Sequence, residues 1–201
     1  MKVLITSVLL GSLLYFNTLW SQTDSLRISW NPNPETDMLE YRLQRSVNGV
    51  QNFQQIQTIP HPQTATVDRL NISPGDLYSF RLTAVDSSGG VSEFSDTVSV
   101  GIPNLNWTIS QLITGSPSTI AISSFASDPD HSVSALILNW SNLNNVILSR
   151  NANNLIVTPT PLSYTGSASF TLRIEDPAGF WDQQSISLSF IVPVNNPPQI
   201  T

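Results

Sequence analysis

The residues best suited to chemistry are oxygen donors in the second half of the chain. Asp128 and Asp130 form an Asp-Pro-Asp turn after one predicted strand, and Asp176 follows another. Calcium takes six to eight oxygen ligands, preferably carboxylates and carbonyls held on loops. With Asn195 and Asn196, these aspartates predict a calcium site at the end of a domain that faces a following repeat. The alternative is that the aspartates only stabilise turns, which Asp and Pro both favour.

Other chemistry is poorly supported by the sequence. His61 and His131 have no partner pattern, so we interpret both as ordinary loop residues. Glu175 and Asp176 are adjacent, and in a strand they point to opposite faces, which prevents them from acting as the acid and base of a glycosidase. Serine is plentiful, but no Gly-x-Ser-x-Gly motif occurs and the chain has no cysteine. We therefore predict a protein that is not an enzyme.

Exposed tryptophan would indicate carbohydrate binding. Trp30 and Trp140 alternate with apolar neighbours and are assigned to cores, which leaves Trp107 and Trp181. Phe180 and Trp181 are adjacent and follow a glycine turn, so both cannot face inward in a strand. Trp181 is therefore the candidate ligand contact. The alternative, which we favour, is that it covers the end of the domain.

The composition limits which fold classes and which binding partners are possible. Charged residues make up 11% of the 201 residues, against about 25% in an average soluble domain, and Ser, Asn, Thr and Gln replace them. These side chains compete with the helical backbone for hydrogen bonds and favour turns and sheet surfaces. Eight basic residues against fourteen acidic ones cannot form a basic face, so a nucleic-acid partner is excluded.

The first 21 residues have the pattern of a secretory signal peptide. Lys2 precedes an apolar run from residue 3 to residue 19, and the sequence then becomes polar. We expect cleavage after Ser21 and no membrane insertion afterwards. An uncleaved N-terminal anchor is the alternative. Secretion without cysteine favours an exported bacterial protein, secreted or at the cell surface, because small animal extracellular domains often depend on disulfides.

Residues 22–101 alternate apolar and polar residues over short runs, a pattern typical of an all-β sandwich. The landmarks are Trp30 at a strand end, an Asn-Pro-Asn-Pro-Glu-x-Asp turn, Ile72-x-Pro74-Gly75-x-x-Tyr78, the strand Tyr78 to Asp86, Gly89-Gly90, and Ser92-Glu93-x-Ser95 within a further predicted strand from Val91 to Val100. Over residues 24–101 they resemble a fibronectin type III domain. The resemblance implies a tyrosine corner, in which the Tyr78 hydroxyl bonds the backbone upstream. Only residues 22–25 would precede the Trp30 strand after cleavage, so we expect the family's first strand to be absent or reduced to a stub, which would expose an edge.

Residues 102–194 predict a second sandwich of seven short strands, the first over Trp107–Ile109. Two of the alternating runs, Phe170-Leu172-Ile174 and Ile186-Leu188-Phe190, are expected to face its core. The relevant motifs are Ser127-Asp-Pro-Asp130 after Phe125, Leu-x-x-Thr-Pro159, Tyr164-x-Gly166-x-x-x-Phe170, Asp176-x-x-Gly179 and Val194-Asn-Asn-Pro-Pro198. In this order they resemble the cadherin-like tandem repeats of bacterial surface adhesins. That resemblance implies calcium bound between modules, although Asn196 stands where the family usually has aspartate.

The expected molecule is thus an all-β pair of tandem sandwiches with an immunoglobulin-like or fibronectin type III-like fold, preceded by a signal peptide. Residues 195–201 are typical of a linker or the start of a further repeat, so we expect the N-terminal part of a larger bacterial protein. Its predicted function is adhesion, binding or spacing, with a cell-surface protein, a polysaccharide or neighbouring repeats as partners. The alternative is the accessory N-terminal region of a secreted hydrolase, a glycoside hydrolase or peptidase, whose catalytic domain follows residue 201.

Overall fold

The chain is almost entirely β-structure. The computed structural model describes residues 3–8, 25–69 and 73–193, with the backbone alone at 3–8, 25 and 69. The only helix in these ranges is a 3-10 turn, Ile122–Ser124, and none there has the length and apolar character of a membrane span. The expected all-β class is confirmed. The chain divides into two compact units, Met1–Ile102 (unit 1) and Pro103–Thr201 (unit 2).

Seven strands form two sheets in the described part of unit 1. They are β1 Val3–Val8, β2 Ser25–Trp30, β3 Met38–Val47, β4 Gln54–Pro60, β5 Ala65–Arg69, β6 Leu77–Asp86 and β7 Val98–Gly101. One sheet has the order β1-β2-β5 and the other β4-β3-β6-β7.

The two sheets of unit 1 enclose an apolar core. Leu26 and Ile28 of β2 are fully buried, as is Phe80 of β6. The Trp30 and Tyr41 rings, one from each sheet, meet edge to face with centroids 5.2 Å apart. The alternation read from the sequence therefore directs these side chains between the sheets.

One edge of β2 is paired with another strand, although the sequence predicted that it would be exposed. Val3–Val8 pairs antiparallel with Ser25–Trp30, and Ile5 lies opposite Ile28, so the full-length chain has a strand where none was expected. The physical reason is that an apolar run rich in Val and Ile suits a strand as well as an export signal. Cleavage after Ser21 would remove β1 and leave β2 as the edge of its sheet.

Serine hydroxyls replace part of a predicted strand after β6. The expected strand from residue 91 to residue 100 is reduced to Val98–Gly101 and an isolated bridge at Val91. The hydroxyls of Ser92 and Ser95 each accept a β6 backbone N–H at 2.9 Å. Side chains thus complete the edge of β6 here without a continuous partner strand.

The tyrosine corner has the hydrogen bond that the resemblance implied. The backbone N–H of Ser73 donates to Oη of Tyr78 at 3.4 Å, and that hydroxyl donates to Oδ2 of Asp76 at 3.1 Å. Residues 70–72, which include the start of the motif, lie outside the described residues.

Nine strands form three sheets in the described part of unit 2. They are β8 Asn104–Leu105, β9 Gln111–Ile113, β10 Ser118–Ala121, β11 Ala126–Ser127, β12 Ile137–Asn144, β13 Val146–Asn151, β14 Asn154–Pro159, β15 Gly166–Glu175 and β16 Trp181–Ile191. The sheet orders are β10-β14-β13, β11-β8 and β12-β15-β16-β9.

One core lies between the sheets of unit 2. The inward faces predicted for β15 and β16 are confirmed, because alternate residues of both strands are buried: Phe170, Leu172, Ile174, Ile186, Leu188 and Phe190. Leu155 and Val157 of β14 pack into the same cluster, and Leu138 and Trp140 cover it. This apolar core extends without interruption from one sheet to the other. It therefore holds the strand ends of the two sheets in fixed relative positions.

The first residues of unit 2 are held by side chains of β16. A strand was expected over Trp107–Ile109, but Leu105 N–H donates to Oδ2 of Asp182 at 2.8 Å and Trp107 N–H donates to Oε1 of Gln184 at 2.9 Å. Polar side chains on β16 thus bind backbone groups that a strand would have paired. The sequence pattern carries no signal for this arrangement.

Candidate metal centre

Three of the five predicted calcium ligands come together in unit 2. Asp128, Asp130 and Asp176 gather with His131, and one ligand atom from each lies within 4.8 Å of the others. We call these four residues the Asp–His cluster. Asp128 follows β11 and Asp176 follows β15, so the cluster joins the β11-β8 sheet to the four-stranded sheet.

Asp128 organises its own loop with one carboxylate oxygen. Its Oδ1 accepts the backbone N–H of Asp130 at 3.0 Å and that of His131 at 2.9 Å, which is the turn role considered from the sequence. The side chain has no exposed surface, and Oδ2 is buried without a hydrogen-bond partner. The turn therefore uses half of the carboxylate and leaves the other half unsatisfied.

Asp176 repeats this arrangement in the hairpin between β15 and β16. Its Oδ1 accepts the N–H of Phe180 at 2.8 Å, and Gly179, at φ 91°, takes the left-handed turn position. The residue is 2% exposed, and its Oδ2 is also buried without a hydrogen-bond partner. A buried carboxylate oxygen without a partner is costly, which makes this pair unusual.

His131 lies among these carboxylates, although the sequence identified it only as a loop residue. Its Nδ1 is 2.9 Å from Oδ1 of Asp130, 3.5 Å from Oδ1 of Asp128 and 3.9 Å from Oδ2 of Asp176. The Asp128 turn places it there, because that carboxylate binds the N–H three residues on. An Asp-x-x-His spacing in a turn is the signal that would have found it.

Burial dominates the electrostatics of the cluster. It raises the pKa of Asp128 to about 6, and a hydrogen bond that the protonated Asp128 carboxyl donates to the Asp130 side chain adds to the effect, while backbone N–H donors oppose it. Burial likewise raises the pKa of Asp176. Both carboxylates are therefore costly to ionise near neutral pH unless a positive charge lies beside them.

The cluster lies at the end of unit 2 that holds its first strand. Asn104 pairs with Ser127, directly before Asp128. β16 begins five residues after Asp176 and carries the chain away from the cluster for ten residues, about 33 Å, to Ile191. The expected location, at the end facing a following repeat, does not match this direction. Asn195 and Asn196 lie outside the described residues.

Trp181, the predicted ligand contact, is the first residue of β16 and pairs with Glu175. The guanidinium of Arg173 lies 4.3 Å from the centre of its ring and bonds Oε2 of Glu175 at 2.6 Å. Phe180 is buried, and Trp181 is partly exposed. One face of the indole is thus covered by Arg173, and sugar binding by Trp181 stays a prediction.

Comparisons with known proteins give limited information. No protein-family model matches the sequence, and no curated protein matches it. The crystal structure of chicken CNTN1 FN1-FN3 domains is similar to this chain with a TM-score of 0.38 and 9% sequence identity, over 88% of this chain and 65% of that one. Similarity at this level does not assign the chain to a family.

Proposed function

We propose that the chain is an exported, non-catalytic binding or spacer protein of a bacterial cell surface, built from two tandem β-sandwiches. Unit 1 is the fibronectin type III-like module and unit 2 the cadherin-like module of this proposal. The all-β architecture in two compact units, each with facing sheets or a continuous core, supports it. Such frameworks hold loops rigidly and present them to a partner, here a surface protein, a polysaccharide or a neighbouring repeat.

The proposal includes a divalent cation at the Asp–His cluster. The observation that carries it is the pair of buried oxygens, Oδ2 of Asp128 and Oδ2 of Asp176, which have no hydrogen-bond partner. A cation bound by the cluster would pair with both carboxylates and offset the cost of two buried charges. Calcium is the cation that the resemblance to cadherin-like repeats implies.

A bound cation would crosslink two loops of unit 2. It would tie the loop after β11 to the β15–β16 hairpin, and so join two sheets at the end where unit 2 begins. Binding to the folded state alone stabilises it in proportion to the logarithm of the cation concentration. A spacer under tension would gain resistance to local opening of these loops.

Thermal unfolding of the full chain tests whether a cation at the cluster stabilises the fold. After treatment with EDTA, addition of a divalent cation should raise the melting temperature of wild type and leave Asp128→Asn unchanged. Asp182→Asn is the matched control, because Asp182 is a partly buried carboxylate of the same unit outside the cluster. Equal shifts in wild type and Asp128→Asn would exclude a cation at this site.

Export is tested separately in a bacterial host. The proposal expects the protein outside the cytoplasm with a new N-terminus near Gln22. Retention of Met1 in a cytoplasmic protein would contradict it.

A further inference from the structure

We propose that the cation held by the Asp–His cluster is a first-row transition ion of the zinc class, with His131 as a ligand, and not calcium. The inference rests on the cation site proposed above and concerns its chemistry. It comes from the fourth member of the cluster, an imidazole that a calcium site does not use.

The donor atoms favour this class of ion. Calcium binds oxygen and takes six to eight ligands, whereas the cluster offers three carboxylates and one imidazole nitrogen. Imidazole suits zinc, nickel, copper and iron, and zinc binds four ligands from among imidazole and carboxylate groups. Among the residues described, the cluster therefore has the ligand number of zinc and includes an imidazole, which calcium does not use.

The distances agree with a small tetrahedral ion. Zinc bonds of about 2.0–2.2 Å in a tetrahedron separate the ligand atoms by about 3.3–3.6 Å. Nδ1 of His131 lies 2.9 Å from Oδ1 of Asp130, 3.5 Å from Oδ1 of Asp128 and 3.9 Å from Oδ2 of Asp176, values that bracket this separation.

The unpartnered oxygens are independent evidence of a ligand. Asp182 is a partly buried carboxylate of unit 2, and both of its oxygens accept backbone N–H groups, from Leu105 at 2.8 Å and Gln183 at 2.7 Å. Asp128 and Asp176 instead bind backbone N–H groups with Oδ1 alone, and Oδ2 of each is buried without a hydrogen-bond partner. Oδ2 of Asp176 lies 3.9 Å from Nδ1 of His131, within the Asp–His cluster.

The chain offers clean controls for a zinc experiment. It has no cysteine, so no thiolate can compete for the metal, and it has two histidines. His61 lies in unit 1, outside the cluster, and His61→Gln controls for binding by an isolated imidazole.

The test is calorimetric titration of the EDTA-treated full chain with zinc chloride and with calcium chloride at pH 7. We expect one zinc per chain, bound more tightly than calcium. His131→Gln should weaken zinc at least tenfold, since loss of an outer-shell partner already costs about 10–100-fold, and should leave calcium binding unchanged. His61→Gln should match wild type, and the melting temperature of each variant without metal checks folding.

The outcomes separate the two proposals. Tighter calcium than zinc, or zinc affinity unchanged in His131→Gln, overturns the zinc inference and leaves the cation site standing. Zinc binding that is lost in His61→Gln and kept in His131→Gln places the metal elsewhere and overturns it as well. If neither ion binds, the proposed cation site itself fails.

Discussion

Asp128 and Asp176 follow strands of different sheets and meet at one imidazole, with Oδ1 of Asp128 3.5 Å and Oδ2 of Asp176 3.9 Å from Nδ1 of His131. Each carboxylate stabilises its own loop through one oxygen. The oxygens left over, Oδ2 in both residues, are buried in a unit with few charges. This relationship is the basis of the cation site, and it makes the loops sensitive to pH.

Without a cation, Asp128 should destabilise the folded chain as the pH rises. Its pKa is raised to about 6 from an ordinary value of 3.8. Below pH 3.8 the carboxyl is protonated in both the folded and the unfolded chain, and its contribution to the free energy of unfolding is fully present. This contribution is lost as the pH rises through 6, because the unfolded chain releases its proton at a lower pH. In EDTA, the melting temperature of wild type relative to Asp128→Asn should therefore fall between pH 4 and pH 7.

The pH experiment has an internal control. Asn at position 128 keeps the Oδ1 that caps the loop and cannot ionise, so titrating groups outside the Asp–His cluster cancel in the comparison. Saturating zinc should abolish the relative fall in wild type. Parallel curves for wild type and Asp128→Asn would contradict the assignment of a costly charge to Asp128.

Two substitutions of Asp176 separate its turn role from its cation role. Asp176→Asn keeps an oxygen for Phe180 N–H, so the melting temperature in EDTA should be unchanged or higher, while the increase caused by the cation is lost. Asp176→Ala also removes the acceptor, which costs about 1–3 kcal/mol, or about 4–8 °C for each kcal/mol in a domain of this size. Equal melting temperatures for the two variants in EDTA would show that the hydrogen bond to Phe180 contributes nothing.

The sequence predicted the carboxylates of the cluster because Asp-Pro turns at strand ends are local features. Asp128, Asp130 and Asp176 were all found in this way. His131 was not, because it was considered alone and not as the third residue after Asp128, whose Oδ1 accepts its backbone N–H. The choice of Asn195 and Asn196 assumed that the site faces a following repeat, whereas the direction of β16 is a property of the whole unit.

Removal of residues 1–21 should leave unit 1 folded. Its core residues Leu26, Ile28, Tyr41 and Phe80 all lie in strands that follow Ser21. The amides of β2 that pair with β1 should lose protection in hydrogen exchange, because cleavage turns β2 into an edge strand. Loss of cooperative unfolding of unit 1 in the shortened chain would show instead that β1 is an essential strand.

Trp181 is expected to cover the sheet and not to bind sugar. Its contact with Arg173 predicts that Trp181→Ala lowers the stability by about 0.5–1 kcal/mol. Affinity for polysaccharides, measured by retardation in gels that contain them, should be unchanged, as in the control Gln183→Ala two residues along the same strand. A selective loss of retardation in Trp181→Ala would restore it as a ligand contact.

The strands were predicted correctly where backbone groups pair with each other. The predictions failed where side chains accept the backbone N–H groups in place of a partner strand. Alternation placed Phe170 and Leu188 in the core correctly. The sequence predicted strands after β6 and before β9. After β6, the hydroxyls of Ser92 and Ser95 accept backbone N–H groups of β6. Before β9, the side chains of Asp182 and Gln184 accept backbone N–H groups at the start of unit 2. Such replacements join residues far apart in the chain, which periodicity cannot detect.

The most direct test of the central claim is a crystal structure of the full chain grown with zinc, with anomalous data collected at the zinc absorption edge. The account predicts one strong anomalous peak in unit 2, about 2.0–2.2 Å from a carboxylate oxygen of Asp128, a carboxylate oxygen of Asp176 and Nδ1 of His131. A structure at pH 7 with no peak at these atoms, and with His131 hydrogen-bonded to the carboxylates in its place, would contradict it.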